Sequence, residues 1–179
     1  MSLGLKRGTV AVEPHRATWE ISAQEMISIL KEVLKEDMID AQHIGSTSIK
    51  SICAKPIVDI VVGVESFDKI IKHNDVLMEK GIIYRREDHP GQHLYVCGDL
   101  ENSIHTHYIH VVIWGQEAWK NYINMRDYLN AHEHKAKEYS ELKEQLAKRY
   151  PEDRIAYTNG KGAFIEDILR CAEEWRNKG

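Results

Sequence analysis

The stretch from His43 to Val62, HIGSTSIKSICAKPIVDIVV, decides how this chain folds. Its pattern predicts a strand, a tight Gly45-Ser46 turn, a basic loop and a second strand that carries one acid, Asp59. Glycine adopts backbone angles that other residues resist, so a tight turn with outward N–H groups fits this position. The arrangement could hold a phosphate near the turn and a metal ion or a proton acceptor on the following strand.

The turn and the loop after it have the composition of an anion-binding segment. Three hydroxyl groups and two lysines follow Gly45: Ser46, Thr47, Ser48, Lys50 and Lys55. An ordinary Ser/Thr-rich turn that caps a short helix has the same composition, and composition alone favours that structural interpretation. Phosphate binding is therefore a hypothesis that needs a cleft beside the turn.

The strand after Pro56 is predicted to be buried on both faces. Apart from Asp59, the run from Ile57 to Val62 is apolar and β-branched, as a buried interior strand requires. An unpaired buried carboxylate costs free energy, so Asp59 needs a cation, a metal ion or hydrogen-bond donors. We interpret Asp59 as functional; the structural alternative is a carboxylate that accepts backbone N–H bonds from the Ser46–Ser48 loop.

These residues carry a resemblance to known proteins. A hydrophobic residue with Gly-Ser, a gap of about a dozen residues and then Asp-hydrophobic-acid-hydrophobic is the pattern of the nucleotidyltransferase superfamily that includes DNA polymerase β. More closely, the chain resembles the GrpB family of bacterial proteins over roughly Val10 to Trp175. The matching segments are His43–Ser48, Ala54–Asp59, Thr106–Val112, Arg126–Leu129, Tyr157-Thr158, Lys161 and Phe164-Ile165.

The resemblance implies an α+β fold with a nucleotidyltransferase-like mixed β-sheet, flanking helices and a C-terminal helical region. It implies a nucleotidyltransferase that acts on a nucleotide or another phosphorylated small molecule, with Asp59 and His110 as catalytic residues. The substrate phosphate would contact Gly45, Ser46, Thr47, Ser48, Lys55, Arg126 and Lys161. A divalent metal ion would be held by Asp59 together with His107 and His110.

The chain departs from the superfamily pattern at the metal ligands. The second acidic position on the strand is Val61, which cannot bind a metal ion. At the position of the third superfamily carboxylate, on a neighbouring strand, this chain offers His110. One aspartate with imidazoles suits Zn²⁺, Mn²⁺, Ni²⁺ or Fe²⁺ better than Mg²⁺, which prefers hard oxygen ligands. Zn²⁺, Mn²⁺ and Mg²⁺ all stay open, as does a site without metal. A catalytically degenerate nucleotide- or metal-binding regulatory protein is therefore the alternative function.

Histidines cluster at the predicted last strand. Strand alternation places His105 and His107 on one face and Tyr108 and His110 on the other. If this strand neighbours the Asp59 strand, either His107 or His110 faces Asp59. The structural alternative is that one histidine packs in the core while the other lies on the surface.

Composition limits the class of protein. The chain has 179 residues and a net charge of −4, which argues against general nucleic-acid binding but leaves room for a local basic cleft. The partner that the resemblance implies is a phosphorylated small molecule or nucleotide. Three scattered cysteines, without a CxxC pair, fit a reduced compartment. Because the sequence lacks a long apolar run and an apolar leader, we expect a cytoplasmic protein without a membrane partner. The sequence leaves the oligomeric state open.

Hydrophobic periodicity divides the chain into two regions. Residues 1–114 are predicted to form a nucleotidyltransferase-like α/β region, and residues 115–179 a helical region that packs on it as one compact unit. At least four strands are expected between residues 39 and 114, with the Asp59 strand central in a small mixed sheet. Ser22 and Glu25 form a capping-box pattern that predicts the start of the first helix.

Overall fold

The computed structural model describes residues 3–178, which form an α+β structure. The strands are β1 (Leu5–Lys6), β2 (Asp40–Ile44), β3 (Val58–Val64), β4 (Ile83–His89), β5 (Gln92–Cys97), β6 (Ile104–His105) and β7 (His107–Ile113). The helices are α1 (Ala17–Leu34), α2 (Asp68–Ile71), α3 (Asn74–Glu79), α4 (Glu117–Ala131), α5 (Glu133–Arg149), α6 (Arg154–Asn159) and α7 (Gly162–Lys178). Within the described residues, every strand precedes residue 114, as the change of periodicity predicts.

Five strands form one mixed sheet in the order β2-β3-β7-β5-β4. β3 runs parallel to β7, and the other neighbouring pairs are antiparallel. β1 and β6 pair separately as a short ribbon. The Asp59 strand, β3, has hydrogen-bonded neighbours on both sides and is therefore not an edge strand, as predicted, but the central strand of the five is β7 rather than β3.

One face of the sheet packs against α1. The apolar stripe of this helix, including Trp19 and Leu30, lies against Val58, Ile60 and Val62 on β3. These residues alternate along the strand and point to the same face, which leaves Asp59 and Val61 on the other face. The Asp59 side chain therefore points away from the main core.

The C-terminal helices cover the second face only in part. Trp119 on α4 packs over Ile44, Val61 and Val112, while α4, α5 and α7 share a core of their own that also buries Ile49. The end of this face near Asp59 stays open between the sheet and the helices. This gap is where the candidate site lies.

The start of α1 corrects one sequence prediction. The helix begins at Ala17 after Arg16, which provides no side-chain cap, so Ser22 lies inside the helix rather than at its end. The Ser22 hydroxyl instead hydrogen-bonds His107 on β7, at 3.1 Å, so a tertiary contact accounts for this serine.

The two predicted regions extend to residues 1, 2 and 179, which lie outside the described residues. Between residues 3 and 178, no helix has both the length and the apolar character that crossing a membrane demands.

Candidate functional site

A cavity of about 530 Å³ opens on the sheet face that carries Asp59. We call it the Asp59 pocket; it is lined, among others, by Gly45, Ser46, Asp59, His110, Arg154 and Lys161. Its volume falls within the range of about 300–1,000 Å³ that is usual for small-molecule sites. The turn, the two parallel strands and the C-terminal helices all contribute to its wall.

The Gly45 backbone lies directly against Asp59. Gly45 has a φ of +68°, a region that favours glycine, and a Cβ atom placed on it would lie 2.7 Å from Asp59 Oδ2. The following residues, Ser46–Ser48, make a short 3₁₀ turn in which the N–H and the hydroxyl of Ser48 both donate to the Gly45 carbonyl, at 3.1 and 2.6 Å. Ser48 is thus engaged within the turn, whereas Ser46 and Thr47 line the pocket.

A buried histidine, His43, holds the turn in place through hydrogen bonds. His43 Nδ1 lies 2.9 Å from Glu20 on α1, and its Nε2 lies 2.9 Å from the Thr47 hydroxyl. The contact with His43 is the main reason why the pKa of Glu20 is lowered. A continuous chain of hydrogen bonds therefore runs from a surface carboxylate to a residue that lines the pocket.

Among the described residues, Asp59 and His110 are the only predicted acid and imidazole that meet in the pocket. His110 Nε2 lies 3.1 Å from Asp59 Oδ1, while His110 Nδ1 is buried without a hydrogen-bond partner among residues 3–178. Val61 faces the same side but packs among apolar residues under Trp119. The pocket thus pairs one carboxylate with the imidazole of His110. A second histidine of its lining, His89, has a side chain that is 76% exposed, and the second acidic position of the superfamily pattern lies inside the core.

His107 does not join Asp59 and His110, which corrects the predicted three-residue metal set. Strand alternation turns it to the α1 face, where its ring nitrogens contact the hydroxyls of Ser22 and Thr106. Burial lowers the pKa of His107, so the ring is neutral at neutral pH. In the chain from residue 3 to residue 178, no group of three or more His, Cys, Asp or Glu side chains is arranged to hold a metal ion.

Two predicted lysines meet at one aromatic ring. The Nζ atoms of Lys55 and Lys161 lie 5.4 and 4.5 Å from the centre of the Tyr157 ring. Burial and repulsion from Lys55 lower the pKa of Lys161 to about 8, although Asp59 opposes the shift. Burial, followed by repulsion from Arg154, also lowers the pKa of Lys55. The pocket therefore concentrates positive charge that an anion would stabilise.

Arg154 is a cation of the site that sequence reasoning missed. Its guanidinium group lies 5.4 Å from the Tyr108 ring and lines the pocket. In sequence, Arg154 has the signature of any solvated helix-face arginine. Only the Asp153 side chain, which caps α6 by accepting the Ala156 N–H at 2.9 Å, marks the turn that positions it.

Arg126, a predicted phosphate ligand, lines the pocket with its donors already engaged. It donates to Asp127 at 2.8 Å, to the Gln42 side chain at 2.6 Å and to the His43 carbonyl at 3.2 Å. These contacts tie α4 to β2. Arg126 therefore holds α4 against β2 at the rim of the pocket, whereas Lys55, Arg154 and Lys161 face the cavity.

The structure belongs to the class of proteins with a nucleotidyltransferase-like fold. A crystal structure of the Cid1 poly(U) polymerase with MgGTP bound superposes with a TM-score of 0.52 and 13% identity, over 76% of this chain and 44% of that one. At this level of identity the similarity concerns the fold alone.

The sequence comparisons identify the family. The GrpB protein family model matches residues 9–171, so the chain belongs to the GrpB family. The crystal structure of the conserved protein GrpB from Enterococcus faecalis has a TM-score of 0.84 and 30% identity, covering 92% of this chain and 99% of that chain. The glutamate-rich protein GrpB of Alkalihalophilus pseudofirmus is 39% identical over 93% of this chain and 98% of its own length.

A longer relative is the UPF0157 protein YqkA of Bacillus subtilis. It is 32% identical over 88% of this chain but only 46% of its own length. This chain therefore spans less than half of that relative.

Proposed function

We propose that the protein binds a nucleotide or another phosphorylated small molecule in the Asp59 pocket and acts on it as a nucleotidyltransferase-like enzyme. The observation that carries the proposal is the convergence of Lys55, Arg154 and Lys161 on one cavity beside the Gly45 turn. Among residues 3–178, none of these three cations forms an ion pair with a carboxylate. Fixed cations in a partly desolvated pocket suit the oxygens of a phosphate group.

The Asp59–His110 pair would supply the chemistry. The Asp59 carboxylate can accept a proton from an attacking hydroxyl group, while the Nε2–H of His110 donates to Asp59 Oδ1 and orients the carboxylate. Lys55, Arg154 and Lys161 would stabilise the negative charge that develops on the phosphate oxygens. Proton transfer and charge stabilisation would thus be carried out by different residues of the pocket.

The residues do not fit a two-metal centre, because Val61 is apolar and His107 faces α1. They fit a single divalent ion held by Asp59 and His110, for which the imidazole favours Zn²⁺ or Mn²⁺ over Mg²⁺. Such an ion would polarise a phosphate oxygen.

A second candidate function is binding without transfer. The buried position of Val61 in an apolar cluster favours it, since the superfamily reaction uses a carboxylate at that point of the strand. A protein of this kind would bind a phosphorylated ligand through the same cations and would regulate a partner.

A binding experiment tests the feature that both functions share. We expect ATP or pyrophosphate to raise the melting temperature, because a ligand that binds only the folded state stabilises it. Lys55→Ala and Lys161→Ala should each weaken binding at least tenfold, whereas Lys137→Ala, an exposed cation on α5 outside the pocket, should not. If neither probe changes the melting temperature, the anion-binding pocket is refuted.

A metal and turnover experiment separates the two functions. Asp59→Ala should abolish uptake of Zn²⁺ or Mn²⁺, measured by elemental analysis, and release of pyrophosphate from nucleoside triphosphates. His134→Ala, which alters a histidine whose side chain is 82% exposed, should leave both unchanged. Tight nucleotide binding without turnover under any of these metals would favour the binding protein.

A further inference from the structure

Ser22 and His107 meet on the face of the sheet that the proposed function does not use. The Ser22 hydroxyl oxygen lies 3.1 Å from Nε2 of His107, and Nδ1 of the same ring lies 3.0 Å from the hydroxyl oxygen of Thr106. His107 is 8% exposed. Because His107 points towards α1 while Asp59 points to the opposite side of the sheet, this cluster is separate from the Asp59 pocket.

A cavity of about 430 Å³ opens beside Ser22. We call it the Ser22 cavity; its lining includes Leu3, Arg16, Ile21 and Ser22. A serine side chain consists of Cβ and Oγ alone, and Ser22 is only partly buried, so the cavity lies next to the hydroxyl group. The volume is within the range of about 300–1,000 Å³ that small-molecule sites occupy.

The three side chains are arranged as a nucleophile, a base and an orienting group. A serine hydroxyl is activated by an adjacent base, and a third group on the other side of the base holds it in position. Since burial lowers the pKa of His107, the ring is neutral and has one nitrogen free to accept. When Nδ1–H donates to the Thr106 hydroxyl, Nε2 is the nitrogen that accepts the Ser22 O–H.

We propose that Ser22, His107 and Thr106 form a nucleophilic serine site that hydrolyses small carboxylic esters. Thr106 is neutral, so it orients the ring but stabilises an imidazolium less than the aspartate of a Ser-His-Asp triad does. The site therefore suits esters, whose alcohol leaves more readily than the amine of an amide. The apolar side chains of Leu3 and Ile21 in the cavity wall suit an apolar acyl group.

The reaction proceeds in two steps. The Ser22 proton moves to Nε2 of His107 while Oγ bonds to the carbonyl carbon of the ester; the bond to the leaving group then breaks, and Nε2 returns the proton to the departing alcohol. Water repeats the sequence on the acyl-serine, which releases a carboxylic acid and restores the hydroxyl. Arg16 donates one N–H to Glu13 at 2.9 Å and has others for the oxyanion.

Hydrolysis of 4-nitrophenyl butyrate and labelling by a fluorophosphonate probe test the proposal. We expect the probe to attach to Ser22, located by peptide mass spectrometry, and Ser22→Ala to abolish the labelling and the hydrolysis. Ser28→Ala is the matched control, because Ser28 is an exposed serine of the same helix whose hydroxyl donates to the Gln24 carbonyl. If Ser22 is not labelled, or if Ser22→Ala hydrolyses the ester at the original rate, the proposal is overturned.

Two further measurements test the base and its orientation. His107→Gln should slow labelling of Ser22 at least about a hundredfold, the usual minimum for a general base. Thr106→Val should slow it as well, and Thr106→Ser should restore it. In all variants circular dichroism checks the fold. Equal labelling in a folded His107→Gln variant would refute the site.

The tautomer of His107 gives a readout that needs no substitution. Nitrogen-15 NMR of the unaltered protein distinguishes a protonated ring nitrogen from an unprotonated one. We expect the proton on Nδ1 and a bare Nε2 facing Ser22. A proton on Nε2 would make Ser22 the acceptor of that hydrogen bond and would refute its activation, even if His107→Gln does not fold.

Discussion

At the scale of single residues, the site depends on the lack of a side chain at Gly45. Its backbone packs on the Asp59 carboxylate, and its φ of +68° allows the chain to turn immediately after β2. The turn and the acid are therefore one structural unit, even though they are 14 positions apart in the sequence. This explains why the two motifs of the sequence point to one site.

Gly45→Ala should damage this unit. The new Cβ would meet Asp59 Oδ2 at 2.7 Å in a strained backbone conformation, so we expect a loss of about 1–3 kcal/mol in the free energy of unfolding and weaker ATP binding. Gly81→Ala is the matched control, since Gly81 has a φ of +77° with open space around it. Chemical denaturation measures both variants; equal losses would show that the contact with Asp59 is unimportant.

Lys161 should couple ligand binding to proton uptake. Its pKa is lowered to about 8 in the empty pocket, and a bound phosphate would raise it again by supplying negative charge. At pH 8 binding should therefore take up protons, and affinity should fall as the pH rises above 8.

Titration calorimetry with ATP in two buffers of different ionisation enthalpy measures the uptake. Lys161→Arg, which stays protonated throughout, should reduce it. Identical heats in both buffers for the unaltered protein would contradict a role of Lys161 in binding.

The limits of sequence reasoning are clearest for two cations. Lys143 and Arg154 fall in the region that periodicity predicts to be helical, and in the sequence both look like members of a solvated face. The structure buries Lys143 and directs Arg154 into the pocket. Their roles depend on how the helices dock on the sheet, which no local pattern records. His110 differs, because strand alternation alone separates it from His107.

At the scale of elements, strand periodicity was the most informative signal. The predicted last strand, which carries the clustered histidines, is present as β6 and β7, interrupted at Thr106, and its alternation places Tyr108 and His110 on the pocket face. Alternation could not decide which histidine faces Asp59, because the answer depends on the parallel pairing of β3 with β7. The predicted start of the first helix at Ser22 was wrong. In the sequence, a serine that caps a helix cannot be distinguished from a serine whose hydroxyl hydrogen-bonds a residue on a distant strand.

α5 contains a buried lysine that has a consequence for stability. Lys143 is 1% exposed, and its ammonium group donates to the Cys53 carbonyl and lies 4.7 Å from the centre of the Tyr139 ring. Burial lowers the pKa of Lys143 to about 7. The helix thus holds the loop of residues 50–53 through a group that loses its proton near neutral pH.

The pH dependence of stability should reveal this lysine. Between about pH 7 and 9 the unfolded chain keeps the proton that the folded Lys143 releases, so the free energy of unfolding should rise with pH. One such group contributes at most about 1.4 kcal/mol per pH unit. Lys143→Met should make the rise less steep; the part that remains comes from Lys161 and Lys55, whose pKa values burial also lowers. Urea denaturation at several pH values measures it, and an equal slope in Lys143→Met would refute the assignment.

At the scale of the whole molecule, the Asp59 pocket is assembled from both ends of the sequence. Gly45, Asp59 and His110 come from the sheet, whereas Arg154 and Lys161 come from the C-terminal helices. We propose that the regions 1–114 and 115–179 form one cooperative unit. The helices then have two roles, since they cover the second face of the sheet and supply the cations.

Separation of the two regions tests this proposal. Without α4, a fragment of residues 1–114 would expose Ile44, Val61 and Val112, each fully buried under Trp119 in the complete chain. Burial of one such side chain stabilises a protein by about 1.5–3 kcal/mol, so losing three is comparable to the whole stability of a small domain. We expect the fragment to aggregate or to lack a cooperative thermal transition by circular dichroism, and to fail to bind ATP. Because the complete chain serves as the control, a fragment that unfolds cooperatively near the same temperature would instead show that the sheet is an independent domain.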